Sequence, residues 1–194
     1  NDQGIKGMHR WFNRIWSVVL DKYEVTTEDA DKTKELRRVM HQTIRRVHDD
    51  LERFHFNTML AALMEFTNYL GKAREDKAVS GGAFSEATKT LMLLLAPTAP
   101  HIAEELWQRA GYPYSVHGQS FPQWDEKLAA EEEFTLVIQI NGKLRDKVNA
   151  SVNIKADEAE SLALNRDKVK EQLKGAKPVK VIYVPGKLIN IVAK

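Results

Sequence analysis

The sequence predicts a multi-domain chain, α first and α+β at its end: a five-helix bundle followed by a small α+β domain of two β-hairpins flanking one or two helices. Three observations predict it. Apolar residues recur at helical spacing through the first two thirds of the chain. The period changes to two at Phe134. Between these regimes lies EKLAAEEE (126–133), a charged stretch without an aromatic residue. The predicted boundaries are therefore 1–126 for the bundle, 127–133 for a linker and 134–194 for the small domain.

In the first helix Met8, Trp11, Phe12, Ile15, Trp16 and Val19 form one apolar stripe. Thr26 with Asp29 resembles a capping box ahead of a second helix, whose stripe is Leu36, Val39, Met40, Thr43, Val47 and Leu51. Asn57 is the expected cap of a third helix, with Leu60, Leu63, Met64, Thr67 and Leu70 on one face. Ser80-Gly81-Gly82 reads as a break, and Ser85 as the start of a fourth helix ending at Leu95. A fifth follows Pro97 and stops at Gly111, a C-cap residue type. Residues 112–124 are rich in Pro and aromatics and lack a period. They read as an ordered strap, because Tyr112, Tyr114, Phe121 and Trp124 would be poorly solvated in a free linker.

Past the linker, Phe134, Leu136, Ile138 and Ile140 alternate with Thr135, Val137 and Gln139, as in a half-buried strand. Asn141-Gly142 is a strong hairpin signal, since a type I′ turn needs positive φ at both central residues. The returning strand is expected to put Leu144 and Val148 inward, Arg145 and Lys147 outward. Residues 156–174 read as helical, with Leu162, Val169 and Leu173 apolar and Gly175 as a stop. A strand over 179–184, a Pro185-Gly186 turn and a strand over 188–192 complete the domain. VIQINGKLRDKV (137–148) and VIYVPGKLINIV (181–192) are then two strand–turn–strand phrases. Their turns should differ, Asn-Gly tight and Pro-Gly a more open type II. The likeness reads as shared hairpin vocabulary rather than duplication.

With 43% hydrophobic and 29% charged residues the composition is that of a globular protein. No apolar run approaches the ~20 residues that cross a bilayer, and no signal-peptide pattern opens the chain. The absence of cysteine excludes disulfides, thiolate zinc sites and cysteine nucleophiles, and permits a reducing cytoplasm. The chain opens at Asn1 in a helical pattern and reads as a piece of a longer polypeptide. Charge is unevenly spread. Residues 1–126 hold 16 Lys/Arg against 18 Asp/Glu, whereas residues 134–194 hold 12 against 6. The excess positive charge of the small domain hints at a polyanion partner.

Catalysis finds little support. His101, Glu104 and Glu105 could share a helical face and hold a metal ion, as in bundle enzymes, but no second helix offers a matching Glu-x-x-His pair. Acids in that first turn suit the positive end of the helix dipole, so the trio reads as structural. His9, His41, His48, His55 and His117 show no triad spacing, and no phosphate-binding glycine loop occurs. Arg37, Arg38, Arg45 and Arg46 lie on the polar side of the second helix. A solvated face accounts for them; phosphate contact, with Arg45 and Arg46 as candidates, is the sharper alternative. Lys143, Arg145 and Lys147 project from one hairpin beside Asn141, which can donate to phosphate or sugar. Lys187 occupies the matching place in the other turn, and Lys177 and Lys180 lead into it. A protein–protein module is the remaining alternative.

HRWFNRIW (9–16), FNTMLAALMEFTNYL (56–70) and LLLAPTAPHIAEELW (93–107) resemble the helical tRNA-binding domain of class I aminoacyl-tRNA synthetases of the leucine, isoleucine and valine type. The paired endings VIQINGKLRDKV and VIYVPGKLINIV are similar to the C-terminal domain of bacterial-type leucyl-tRNA synthetases. The resemblance implies a bundle packed along tRNA without reliance on anticodon bases, and a tethered small domain reaching the outer corner of a leucine tRNA. Arg10 and Arg14 match arginines of the family's first helix and either face tRNA or brace the bundle. The HIGH and KMSKS signatures are absent, as is anything like the editing insert. The resemblance therefore implies a chain without cofactor of its own and inactive alone. ATP and magnesium would belong to catalytic and editing domains elsewhere in the parent polypeptide.

Overall fold

A computed structural model describes residues 2–130, 133–173, 176 and 178–193. The chain divides after Ala130 into two units, each with its own hydrophobic core. The sheet and two helices of the second unit, and the helical first unit, match the fold class that the sequence predicts.

Five long helices form the first unit: α1 (Asp2–Leu20), α2 (Ala30–Glu52), α3 (Phe56–Asp76), α4 (Gly81–Leu95) and α5 (Pro100–Arg109). Trp11, Ile15 and Val18 of α1 meet Leu36, Met40 and Ile44 of α2, Leu63 and Phe66 of α3 and Leu91 of α4 in one buried cluster. The Trp11 indole N–H donates to Thr67 Oγ1 at 3.1 Å, so this bulky core side chain has its polar atom satisfied. Among the described residues no helix is long and apolar enough to cross a membrane.

Three helix starts differ from the sequence reading. Asp29, not Thr26, caps α2, its carboxylate accepting from the Asp31 and Lys32 N–H groups at 2.9 and 3.2 Å. Asn57 lies inside α3 and caps nothing. The α2–α3 corner is closed instead by the His55 N–H on Asp50 O, with Phe54 at φ 56°. The fourth helix begins a turn earlier than Ser85, because Ser80 Oγ accepts from Ala83 N–H and so turns Gly81-Gly82 into the first helical residues. At the end of α5, Gly111 (φ 80°) allows its own N–H to reach Gln108 O, and that of Tyr112 to reach Trp107 O. That is a Schellman ending.

The strap is ordered over the bundle. Tyr112 stacks on Trp107 with centroids 4.5 Å apart, Trp107 donates to Pro113 O, and Val116 is buried in a single 3-10 turn. Tyr114 departs from expectation: at φ 58° its ring swings clear and is 89% exposed. Residues 126–129, which composition assigns to the linker from 127 onward, form one helical turn, α6 (Glu126–Ala129). Asp125 caps it, Gln42 of α2 donates to Ala129 O at 2.9 Å, and Ala129 is buried. Residues 131 and 132 of the predicted linker lie outside the described residues.

In the second unit β1 (Glu133–Ile140), β2 (Lys143–Ser151), β3 (Pro178–Val184) and β4 (Leu188–Ala193) form a sheet in the order β2-β1-β4-β3. Its hairpins join through a parallel β1–β4 pair. α7 (Ala156–Leu164) and α8 (Asp167–Leu173) pack Ala159, Ala163 and Val169 against Leu136, Ile138, Ile189 and Ile191. The predicted stop at Gly175 lies outside the described residues. Asn141 and Gly142 both have positive φ, as a type I′ turn requires, and Ile140 pairs with Lys143. The second turn is wider: Lys187 N–H reaches Val184 O across Pro185-Gly186, and Val184 pairs with Leu188. The two similar phrases play unlike parts, since the first strand of one is central and that of the other is an edge.

Candidate nucleic-acid interface

The first hairpin carries a register shift at Ile138/Gln139. Ile138 faces Asp146 while Gln139 faces Leu144, so Arg145 is an extra residue in the β2 edge strand, a β-bulge. The bulge overturns one expectation. Leu144 falls on the sheet face away from the helices and is 54% exposed, rather than inward. Asp146 takes the inward place and is 7% exposed. Its carboxylate accepts from Arg166 Nε at 2.8 Å and Lys168 Nζ at 3.4 Å. The Arg166 hydrogen bond, then the Lys147 backbone N–H, hold its carboxyl below the ordinary carboxylate range, with Lys168 adding and burial opposing. A carboxyl depressed in the folded state supplies stability that is complete above its unfolded pKa, near 4, and lost as pH falls through the folded value. Thermal melts between pH 2 and pH 5 should therefore show a weaker pH dependence of the small unit in Asp146→Asn than in the parent chain.

The basic candidates separate by their partners. Arg45 pairs with Glu126 at 3.2 Å and Arg46 with Glu65 at 2.6 Å. Arg37 and Arg38 pair with Glu86 and Glu35. Lys143, Arg145, Lys147, Lys180 and Lys187 are exposed, and among the described residues no carboxylate pairs with any of them. Lys177 lies outside the described residues. Arg10 and Arg14 are exposed on α1 without a carboxylate partner among the described residues, so no ion pair makes them braces of the bundle.

Asn141 has a structural partner as well as an exposed position. Its amide bonds both ways with the Ala193 backbone, donating at 2.9 Å and accepting at 3.1 Å. Asn190 accepts from Gly142 N–H at 3.0 Å. The side chain thus serves as an extra rung between the first turn and β4, and holds the basic hairpin to the sheet. The trio on α5 is dispersed. Glu104 turns to the strap, accepting from Ser115 Oγ at 2.8 Å and Val116 N–H at 2.9 Å, while Glu105 pairs with Arg109 at 2.6 Å. The Ser115 hydroxyl, with Gln108 and Val116, keeps the Glu104 carboxyl below its ordinary range against the pull of burial. Among the described residues no three His, Cys, Asp or Glu side chains are grouped to hold a metal ion.

Comparison with known proteins locates this arrangement. Residues 33–161, from within α2 to within α7, match the family described as the anticodon-binding domain of tRNA ligase. The chain belongs to that family. A leucine–tRNA ligase of Dehalococcoides mccartyi is 50% identical over all 194 residues, which amount to 24% of that relative. One from Rubrobacter xylanophilus is 45% identical over 189 residues, covering 97% of this chain and 23% of the relative. The agnB2 LeuRS of Agrobacterium radiobacter K84, solved as a ternary complex with tRNA and LeuAMS, superposes with a TM-score of 0.80 at 30% identity. That match covers all of this anticodon-binding-domain chain and 26% of the solved one. The chain thus spans about a quarter of the length of the curated relatives it matches.

Proposed function

We propose that this chain is the tRNA-binding region of a leucine–tRNA ligase. It holds a leucine tRNA in place while catalytic and editing domains of a longer polypeptide join leucine to it, with ATP and magnesium, and remove errors. Alone, the chain is expected to turn over neither leucine nor ATP. The setting this reading implies is the cytoplasm, where translation proceeds.

One observation carries the reading: among the described residues the exposed hairpin cations Lys143, Arg145, Lys147, Lys180 and Lys187 lack carboxylate partners, whereas each polar-face arginine of α2 has one. A cation already paired gains little from a phosphate, because its carboxylate must first be released. An unpaired one releases the phosphate's condensed counterion on contact and adds salt-dependent affinity. Contacts of this kind set register and orientation without reading bases. Held so, the reactive end of a tRNA meets a distant catalytic centre as if the reaction were intramolecular.

Titration with a leucine tRNA transcript at 0.05 and 0.2 M salt tests this. The full chain should bind with affinity that falls steeply with salt. A chain ending at Ala130, whose core is complete by itself, should bind more weakly and with a shallower salt slope. Equal affinity and slope for both chains would remove the small unit from the grip.

A further inference from the structure

Two constraints on the first hairpin disagree by one residue. Counted from the turn, Ile140 pairs with Lys143 and Gln139 with Leu144, so Ile138 should meet Arg145. Counted from the far end, Phe134 pairs with Ala150 and Leu136 with Val148, so Ile138 should meet Asp146. The first count is imposed by Asn141-Gly142, which favours a two-residue turn. The second is imposed by Leu136 and Ala150, which are buried beneath the helices. One β2 residue must leave the ladder, and an edge strand tolerates that.

Which residue leaves is a matter of charge. The inward place opposite Ile138 looks onto Arg166, in the break between α7 and α8, and onto Lys168 at the start of α8. Arg145 or Lys147 in that place would set a cation against two cations. Asp146 there gains both as hydrogen-bond donors, and its side chain is only 5% exposed.

We propose that Asp146 is a positioning residue for the nucleic-acid grip: its burial against Arg166 and Lys168 selects Arg145 as the bulged residue and keeps it outside the ladder, on the exposed edge strand that also carries Lys143 and Lys147. The proposal rests on the tRNA-binding function given above, and predicts an effect opposite to that of charge alone. Asp146→Asn adds one positive charge and releases Arg166 and Lys168. By charge alone, binding to a polyanion tightens and its salt dependence steepens. If Asp146 positions Arg145, binding weakens and the slope becomes shallower.

The test uses the full chain and a leucine tRNA transcript. Arg145→Ala is expected to weaken binding about 5-fold at 0.15 M salt and to reduce the log–log salt slope by about one. Asp146→Asn should do nearly the same, and the double variant should be no weaker than Arg145→Ala alone, since both changes remove one contact. Tighter binding or a steeper slope in Asp146→Asn, or losses that multiply in the double variant, would overturn the assignment. If Asp146→Asn fails to fold by circular dichroism, Arg166→Gln takes its place. That variant keeps the acid and removes its nearer anchor; overlap with Arg145→Ala supports the proposal, and multiplication overturns it. Lys143→Ala and Lys147→Ala separate the two levels. If they weaken binding and Arg145→Ala does not, the positioning role fails alone; if all three leave binding unchanged, the tRNA-binding reading fails with it.

Discussion

Alanine at Lys143, Arg145 and Lys147 together is expected to weaken binding of a leucine tRNA by about two orders of magnitude at 0.15 M salt, on the scale of about 5-fold for each neutralised phosphate. The log–log salt slope should fall by about three, one for each contact. All three side chains are exposed on a hairpin whose two strands pair from the turn to Ser151 and whose turn is tied to β4 through Asn141 and Ala193. Their loss therefore removes charge without removing the scaffold. Arg45 and Arg46 supply the contrast. Alanine at both leaves Glu126 and Glu65, which those arginines now hold, without these partners, and the salt slope should change by less than one. Titration of both variants across a salt series checks this. A larger slope change for the α2 pair than for the hairpin trio would move the grip to the bundle.

The parts of this interface differ in how far they could be read from the sequence. The stripes of α1 to α3, the alternation of β1 and the Asn-Gly turn are local periodicities, and each was legible because neighbours in sequence set it. Helix starts were less legible. Ser80 and Asp29 satisfy helix N–H groups beside stretches whose composition points elsewhere. Nothing local marks Phe54 as a residue with positive φ. The reversal of Leu144 and Asp146 was hidden for a different reason. Alternation places them on one face, and only Arg166, twenty residues onward, explains why the acid is inside and the leucine outside. The Asn141 amide bonds to the backbone of Ala193, fifty-two residues away. What the sequence shows is which cations exist. Which of them remain free depends on contacts made after folding.

Replacement of Ile138 by alanine should have the largest effect on the fold. Ile138 is fully buried in β1, a strand flanked by both β2 and β4, and it packs beneath the helices with Leu136, Ile189 and Ile191. Truncating such a side chain costs about 2–5 kcal/mol. A unit spanning residues 131–194 is of a size at which a single core supplies no more than about 3–5 kcal/mol. Ile138→Ala should therefore unfold most of the small unit near physiological temperature while the bundle, with its separate core, keeps its cooperative transition. Amide exchange would show it: strand amides of β1 and β4 lose protection, those of α2 and α3 keep it, and tRNA affinity drops to that of the chain ending at Ala130. Leu144→Ala provides the control on register. In a hairpin that kept the far-end register without a bulge, Leu144 would pair with Ile140 on the buried face, and its truncation would rival that of Ile138. In the bulged hairpin it faces Gln139 on the open side of the sheet, so the change in stability should stay within about 0.5 kcal/mol. A Leu144→Ala loss as large as that of Ile138→Ala would mean that the strand runs without its bulge. Arg145 would then lie in the ladder opposite Gln139, and the free cations of the hairpin would have to be assigned anew.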